Sequence, residues 1–222
     1  MVKKKAAPAP PQTALADGDA EQRILDAAHK VFIRRGTAGA RMQEIADEAG
    51  VNKALLHYYF RNKSRLADAI FQRVAGAVFG RIVLVVREQS ALDDKVRSII
   101  AIYLEQLSRS PYAPGYILAE LNQDPERGRQ LVQMISGLRD GVAPSVLIEA
   151  LQAQIDVSIR AGTIRRISAQ QFLTNLVSLC IFPFAAKPLL CAMLGMDDAG
   201  FVAFIEERKR TLPEFFLNAL RP

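Results

Sequence analysis

The chain has little of what enzymes and metalloproteins are usually built around. Among its 222 residues are only two cysteines and two histidines. Cys180 and Cys191 lie in apolar surroundings, spaced too far apart for a Cys-x-x-Cys site. Both are expected as reduced, buried thiols, a state that suits the cytoplasm. His29 and His57 belong to no metal constellation. There is no phosphate-cradling glycine loop and no credible nucleophile–base pair, so no enzyme activity, metal or cofactor is expected. Long hydrophobic runs are missing as well. The longest, residues 176–186, is about eleven residues, contains Pro183 and is followed by Lys187, against the ~20 that a bilayer span needs; no membrane partner is expected. The amino terminus has Lys3, Lys4 and Lys5 among Ala and Pro but lacks the apolar core of a secretory signal. Residues 1–18 are expected to be a disordered basic tail, either simply solvated, the favoured reading, or able to reach an adjacent minor groove.

What is present is half apolar residues, enough for a sizeable core, and a net charge of +6 placed unevenly. Residues 1–70 hold 12 Lys or Arg and 8 Asp or Glu, a balance of +4, against +2 for the remainder. That suits an electrostatic footprint on nucleic acid but does not establish one.

Residues 41–60, RMQEIADEAGVNKALLHYYF, carry the most information. Met42, Ile45, Ala46 and Ala49 recur at three- and four-residue intervals and so share one helical face, leaving Gln43, Glu44, Asp47 and Glu48 on the other. Gly50 supplies the left-handed conformation a helix end needs. Asn52 is a good N-cap for a second helix, because its side-chain oxygen can accept from an exposed N–H of the next turn. Leu55, Leu56 and Phe60 give that helix a buried side. Lys53, Ala54, His57 and Tyr58 are left outside. Two short helices around a glycine turn, the second showing polar and aromatic groups, make the layout of a helix-turn-helix, whose second helix enters the major groove of DNA.

Charge at the helix starts supports this independently. Helix N-termini carry partial positive charge and attract acids. Here three successive starts bring cations instead: Arg41, then Lys53 after Asn52, then Lys63 and Arg65 after Asn62. Each should cost ~0.3–1 kcal/mol at low salt. A phosphate at the helix end removes the conflict, since backbone N–H groups and side chains then share one anion.

These residues resemble the DNA-binding domain of the TetR family of bacterial transcriptional regulators from Glu21 to about Ala69. Ile24, Leu25, Ala27, Ala28, Phe32 and Gly36 follow the family's ILxAAxxxFxxxG pattern. Ile45, Ala46, Ala49, Gly50, Val51, Asn52, Ala54, His57, Tyr59, Phe60, Lys63 and Leu66 follow its IAxxAGVSxGxxYxHFxxKxxL pattern. There are departures. The family's capping Thr is Ala40 here, which can neither cap nor touch a phosphate, and Arg41 stands ready to supply that contact. The family's Tyr on the second helix is His57, and its His is Tyr59. His57 either donates to a phosphate or base edge, which would make binding pH-dependent, or bonds to backbone; both readings stay open.

The resemblance implies roles position by position. Lys53, His57 and Tyr58 would face the major groove together with Ala54 and Leu55, with Gln43 where some members read a base. Arg41, Tyr58 and Lys63 would touch phosphates, and Asn52 would cap at the DNA surface. The fold class is then all-α: a helix-turn-helix head at residues 19–66 and a helical ligand-binding and dimerisation domain at 67–222.

The body reads as helix almost throughout: residues 66–87, 93–108, 116–122, 126–141, 144–161, 168–182 and 197–220. Whether Gly141 and Pro144 break or kink one long helix is open, as is whether Pro213 bends or restarts the last. The final two helices are apolar on more than one stripe and so should be buried on more than one side. By the resemblance, Phe172, Leu176, Leu179, Phe201, Phe204 and Phe215 would pack against a symmetry mate. A homodimer would also set two recognition helices one DNA turn apart, ~34 Å, or a multiple of it. The middle helices would enclose a small-molecule effector, with Tyr103, Leu107, Tyr116, Met134, Leu138, Leu147 and Phe184 as candidate lining. Their apolar character favours a hydrophobic or aromatic molecule. The expected protein is a cytoplasmic, ligand-released repressor that binds a palindromic operator in double-stranded DNA. Two other classes compete with it: a chromosome-organising or division-control factor of the same fold, and a helical enzyme that carries the motif by coincidence.

Overall fold

A computed structural model describes residues 13–88, 90–137 and 144–222. Among these the regular structure is helical. The elements are α1 (Thr13–Gly39), α2 (Met42–Ala49), α3 (Lys53–Tyr59), α4 (Lys63–Arg87), α5 (Leu92–Arg109), α6 (Ala113–Gln123), α7 (Pro125–Gly137), α8 (Pro144–Arg160), α9 (Ala169–Ala185), α10 (Lys187–Leu194) and α11 (Asp198–Leu220). Most of the basic tail, the site of Leu138, and the Gly141 junction lie outside the described residues. The chain divides into two compact units, one ending at Ile70 and the other beginning at Phe71.

In the first unit, α1 buries Ile24, Ala27, Ala28, Val31 and Phe32, and packs on α2. The second helix contributes Ile45, Ala46 and Ala49, and α3 contributes Leu56 with Phe60 following. Within α1 the regular geometry breaks at Gly36, φ 68° and ψ 162°, a conformation open to glycine. Charge then clasps α1 to α2. Glu44 accepts from Arg35 Nε at 2.7 Å and from Arg34 Nη2 at 3.3 Å, while Lys30 reaches Glu48 at 3.4 Å.

In the second unit, α5 is the central rod, burying Leu92, Val96, Ile99, Ile100, Tyr103, Leu104 and Leu107. It packs on α9 and α11, and α9 also meets α6, α8 and α10. By length and composition α4 could cross a bilayer. Its apolarity has a local explanation in the burial of Leu66, Ile70, Phe71, Val74, Val78, Ile82 and Val85. Side chains cap two of these helices: Ser168 accepts from Gln171 N at 3.3 Å, and Asp197 from Gly200 N at 2.7 Å. Pro213 neither breaks nor restarts α11, and α9 continues through Pro183 to Ala185. The sequence did not announce α10, an eight-residue helix with Pro188 in its first turn and no buried side chain.

The expected dimer surface needs correction. Phe172, Leu176 and Phe201 are sealed inside this chain's own core, Phe172 against Phe216 and Phe201 against Phe184 in edge-to-face pairs at 5.3 and 5.7 Å. They close α9 and α11 onto each other and onto α5, so a partner cannot reach them. Leu179 and Phe204 are half-buried, and Phe215 is 62% exposed. Among the large apolar groups that this unit leaves in solvent, those on α9, α10 and α11 are Phe182, Leu189, Met193, Leu194, Val202 and Phe215.

Candidate nucleic-acid interface

The turn between α2 and α3 is fixed by backbone bonds. Gly50 adopts φ 64° and ψ 36°, its N–H bonds the Asp47 carbonyl at 3.2 Å, and Val51 N–H bonds that of Ala46 at 3.0 Å. This paired pattern closes a helix on a left-handed residue. Asn52 then caps α3, its Oδ1 accepting from Leu55 N at 2.7 Å. Asn62 does the same for α4, accepting from Arg65 N at 2.9 Å. The first turns of α3 and α4 contain no acid. The first turn of α2 holds Glu44, whose carboxyl is kept below its ordinary value chiefly by the hydrogen bond from Arg35.

On α3 the apolar anchors are Leu56, fully buried, and the half-buried Leu55. Lys53, Ala54, His57 and Tyr58 all point to solvent. Tyr58 is 74% exposed, an unusual state for so large a ring, and it is braced edge-on by Tyr59 at 5.2 Å. The Arg61 carbonyl lies 3.3 Å from His57 Nδ1. That contact places the proton on Nδ1 when the ring is neutral and leaves Nε2 as the outward atom. In that tautomer Nε2 can only accept, so donation to a phosphate would need the doubly protonated ring, and the backbone contact is the one the geometry shows.

Two expected DNA contacts have partners within the chain. Gln43 Nε2 donates to Asp47 Oδ1 at 2.8 Å along the outer face of α2. Lys63 Nζ donates to the carbonyls of Ala38 and Ala40, at 3.0 and 3.2 Å. It therefore ties the start of α4 to the segment joining α1 and α2. An ammonium has three donors, so one remains for an outside oxygen. This bracing role was invisible in the sequence, where Lys63 reads only as a cation behind a cap. Arg41 is exposed at the N-cap of α2, without a side-chain cap bond there.

The candidate effector residues differ in burial. Tyr103, Leu107, Tyr116 and Phe184 are buried in the body. Tyr103 packs edge-on to Phe79 at 6.5 Å, and burial raises its phenol pKa. Nearby Cys180 has its thiol pushed up to about 12 by burial, which leaves it a core group without thiolate character. Met134 and Leu147 are half-buried. Of the set, Phe184 borders a pocket of ≈ 210 Å³, shared with Ser108, Pro111, Lys187, Phe201 and Val202 among others.

A helix-turn-helix whose outer helix presents a lysine, a histidine and a tyrosine, joined to an all-helical body, defines a DNA-binding regulator. The pattern of the bacterial regulatory proteins of the tetR family matches residues 24–70. A transcriptional repressor of Streptomyces coelicolor, SCO4008, is 30% identical over 133 residues, 59% of this chain and 69% of that one. The fatty acid metabolism regulator protein of Bacillus subtilis is 24% identical over 130 residues, 59% and 67% of the two chains. Among solved structures, the TetR-family regulator PfmR of Thermus thermophilus matches at TM-score 0.62 with 18% identity, over 90% of this chain and 100% of that one. The hemolysin II regulator HlyIIR matches at 0.58 with 22% identity, over 93% and 99%. The chain belongs to the TetR family of bacterial regulatory proteins.

Proposed function

We propose that the chain is a homodimeric repressor that holds a palindromic operator through α3 and releases it when a small apolar molecule occupies the body. The observation that carries the DNA part is the outer face of α3, where Lys53, His57 and Tyr58 stand in solvent, in a head whose α2 and α4 also start on cations. Lys53, His57 and Tyr58 would meet the major groove, with Ala54 allowing close backbone approach and Gln43 at its edge. Arg41 and the free donor of Lys63 would meet phosphates. The dimer is supported by apolar groups left in solvent on α9 and α11, among them Phe182 and Phe215. Phe215 lies beside Leu179, Ser178 and Ala219, a largely apolar stretch of α9 and α11 against which a second pair of helices could pack. Release follows if the effector favours a body conformation that holds two heads at the wrong separation. Helix α4 is continuous across the boundary of the two units and is the natural transmitter.

The test is selection from randomised duplexes with the full-length protein. Enriched sequences should contain an inverted repeat whose half-site centres lie ~10 bp apart or a multiple of it, and sites in the genome should be few and next to promoters. Failure to retain any duplex at low salt would sink the reading.

A further inference from the structure

The pocket of ≈ 210 Å³ between the end of α5, the end of α9, and α10 and α11 has a cation built into an apolar wall. The Lys187 side chain is only 12% exposed. Its ammonium lies 5.0 Å from the Phe201 ring centroid and 5.4 Å from that of Tyr112, within cation–π range of both. Its polar partner is Asp198, at 2.6 Å, whose side chain is 88% exposed. The hydrogen bond to Asp198 raises the lysine pKa, so the ammonium keeps its charge at neutral pH. The two halves of this ion pair are thus unlike. The base is mostly covered and held by rings, whereas the acid stands in water. Pairs with one solvated partner are weak and exchange readily. Pro111, Phe184, Phe201, Val202 and Ile205 make the apolar part of the wall, and the Ser108 hydroxyl beside them donates to the Leu104 carbonyl at 2.6 Å. The other acid on the wall, Glu206, is matched by Lys209 at 2.6 Å.

We infer that this pocket binds a compact hydrophobic monocarboxylate, whose head displaces Asp198 from Lys187 and whose apolar part lies against Phe184, Phe201, Val202 and Ile205. The acid of Asp198 occupies the place such a head would take. A charge-assisted bond between Lys187 and a ligand inside the pocket is better shielded from water than the one to Asp198. The space lies below the ~300–1,000 Å³ of typical small-molecule sites, which selects short acids over long-chain ones. The inference deepens the effector reading above, yet binding can be measured without DNA.

The experiment is calorimetric titration of the full-length protein with octanoate and hydrocinnamate, with octanol as the uncharged control. Either acid should bind, and octanol should bind about tenfold more weakly or worse. Lys187→Met should weaken the acids by about tenfold or more while leaving octanol unchanged. Asp198→Asn, which removes the internal competitor, should tighten the acids by up to about fivefold. This second variant moves affinity in the opposite direction, so damage to the fold cannot mimic it. Octanol equal to octanoate, neither acid binding, or weaker binding by Asp198→Asn would overturn the proposal. Acids that bind as expected but leave operator affinity unchanged would refute the effector reading and leave the pocket standing.

Discussion

Replacing Lys53 with Gln should make the protein more stable and a poorer DNA binder. Lys53 opens α3, and the first turn of that helix has no acid to offset it. Its charge sits at the positive end of the helix dipole, so neutralising it should stabilise the free protein by ~0.3–1 kcal/mol at low salt. The side chain is exposed, so little packing is lost. On DNA the sign reverses. A lysine that neutralises one phosphate contributes ~0.9 to the slope of log affinity against log salt, so two heads lose ~1.8. At ~0.15 M salt this amounts to about fivefold per head and about thirtyfold for a two-headed complex. Fluorescence anisotropy on a selected duplex over a salt series gives the slope, and thermal melts followed by circular dichroism give the stability. Arg41→Gln should flatten the slope alike but gain less stability, because Glu44 already lies in the first turn of α2. Lys63→Met separates the two effects, since it flattens the slope while lowering stability by stripping donors from the Ala38 and Ala40 carbonyls. Two results would refute the reasoning: a Lys53→Gln protein that melts lower, or one that keeps the parent salt slope.

Two further expectations concern stability. Gly50→Ala should destabilise by ~1–2 kcal/mol, for φ is +64° there and an added Cβ meets nothing within 4 Å, so the whole effect is conformational. Gly80→Ala, inside α4 with equally open space, should stabilise by ~0.4–1 kcal/mol in chemical denaturation, and equal signs for the two substitutions would show that the turn is not as described. The clasp on Glu44 gives a pH signature. Arg35, and then Arg34, hold its carboxyl below the ordinary 4.5, so its contribution is complete above that pH and is lost as pH falls through the depressed folded value. The gap in melting temperature between the parent and Glu44→Gln should therefore narrow as pH is taken below the ordinary carboxylate value, and a gap constant with pH would rule the clasp out.

The head was legible because its signals are local. Asn52 caps α3 and Asn62 caps α4, with the side-chain oxygens accepting from the residues three positions on. Gly50 closes α2 in the left-handed region, as a glycine after an apolar-periodic run should. Which side chains of α3 face out also followed from spacing, since Leu56 and Phe60 take the buried side. What spacing could not give is the fate of a long flexible cation. Lys63 turning back onto Ala38 and Ala40 spans more than twenty residues, and nothing near position 63 foretells it.

In the body, periodicity told which residues are apolar-faced but not what covers them. Nothing in the sequence separates Phe172, Leu176 and Phe201 from Phe182, Val202 and Phe215, because an apolar group facing its own core reads like one facing another chain. Only the packing separates them. The first three are closed between α5, α9 and α11, and the second three stay in solvent. The same limit hid two charged pairs. Glu120 and Arg127 flank the Asp124–Pro125 break and read as surface charges. Yet both are buried at 3.7 Å, with the guanidinium 5.2 Å over the Phe71 ring and bonded to Gln130. Lys187 beside Pro188 reads as the polar end of an apolar run, but it is the residue that the rings of Tyr112 and Phe201 enclose. A charge on a long stem can lie along apolar surface at small cost, so its position in sequence fixes neither its burial nor its partner. In this chain the local rules therefore fix where helices start, stop and face, while the partners of its covered charges become visible only in three dimensions.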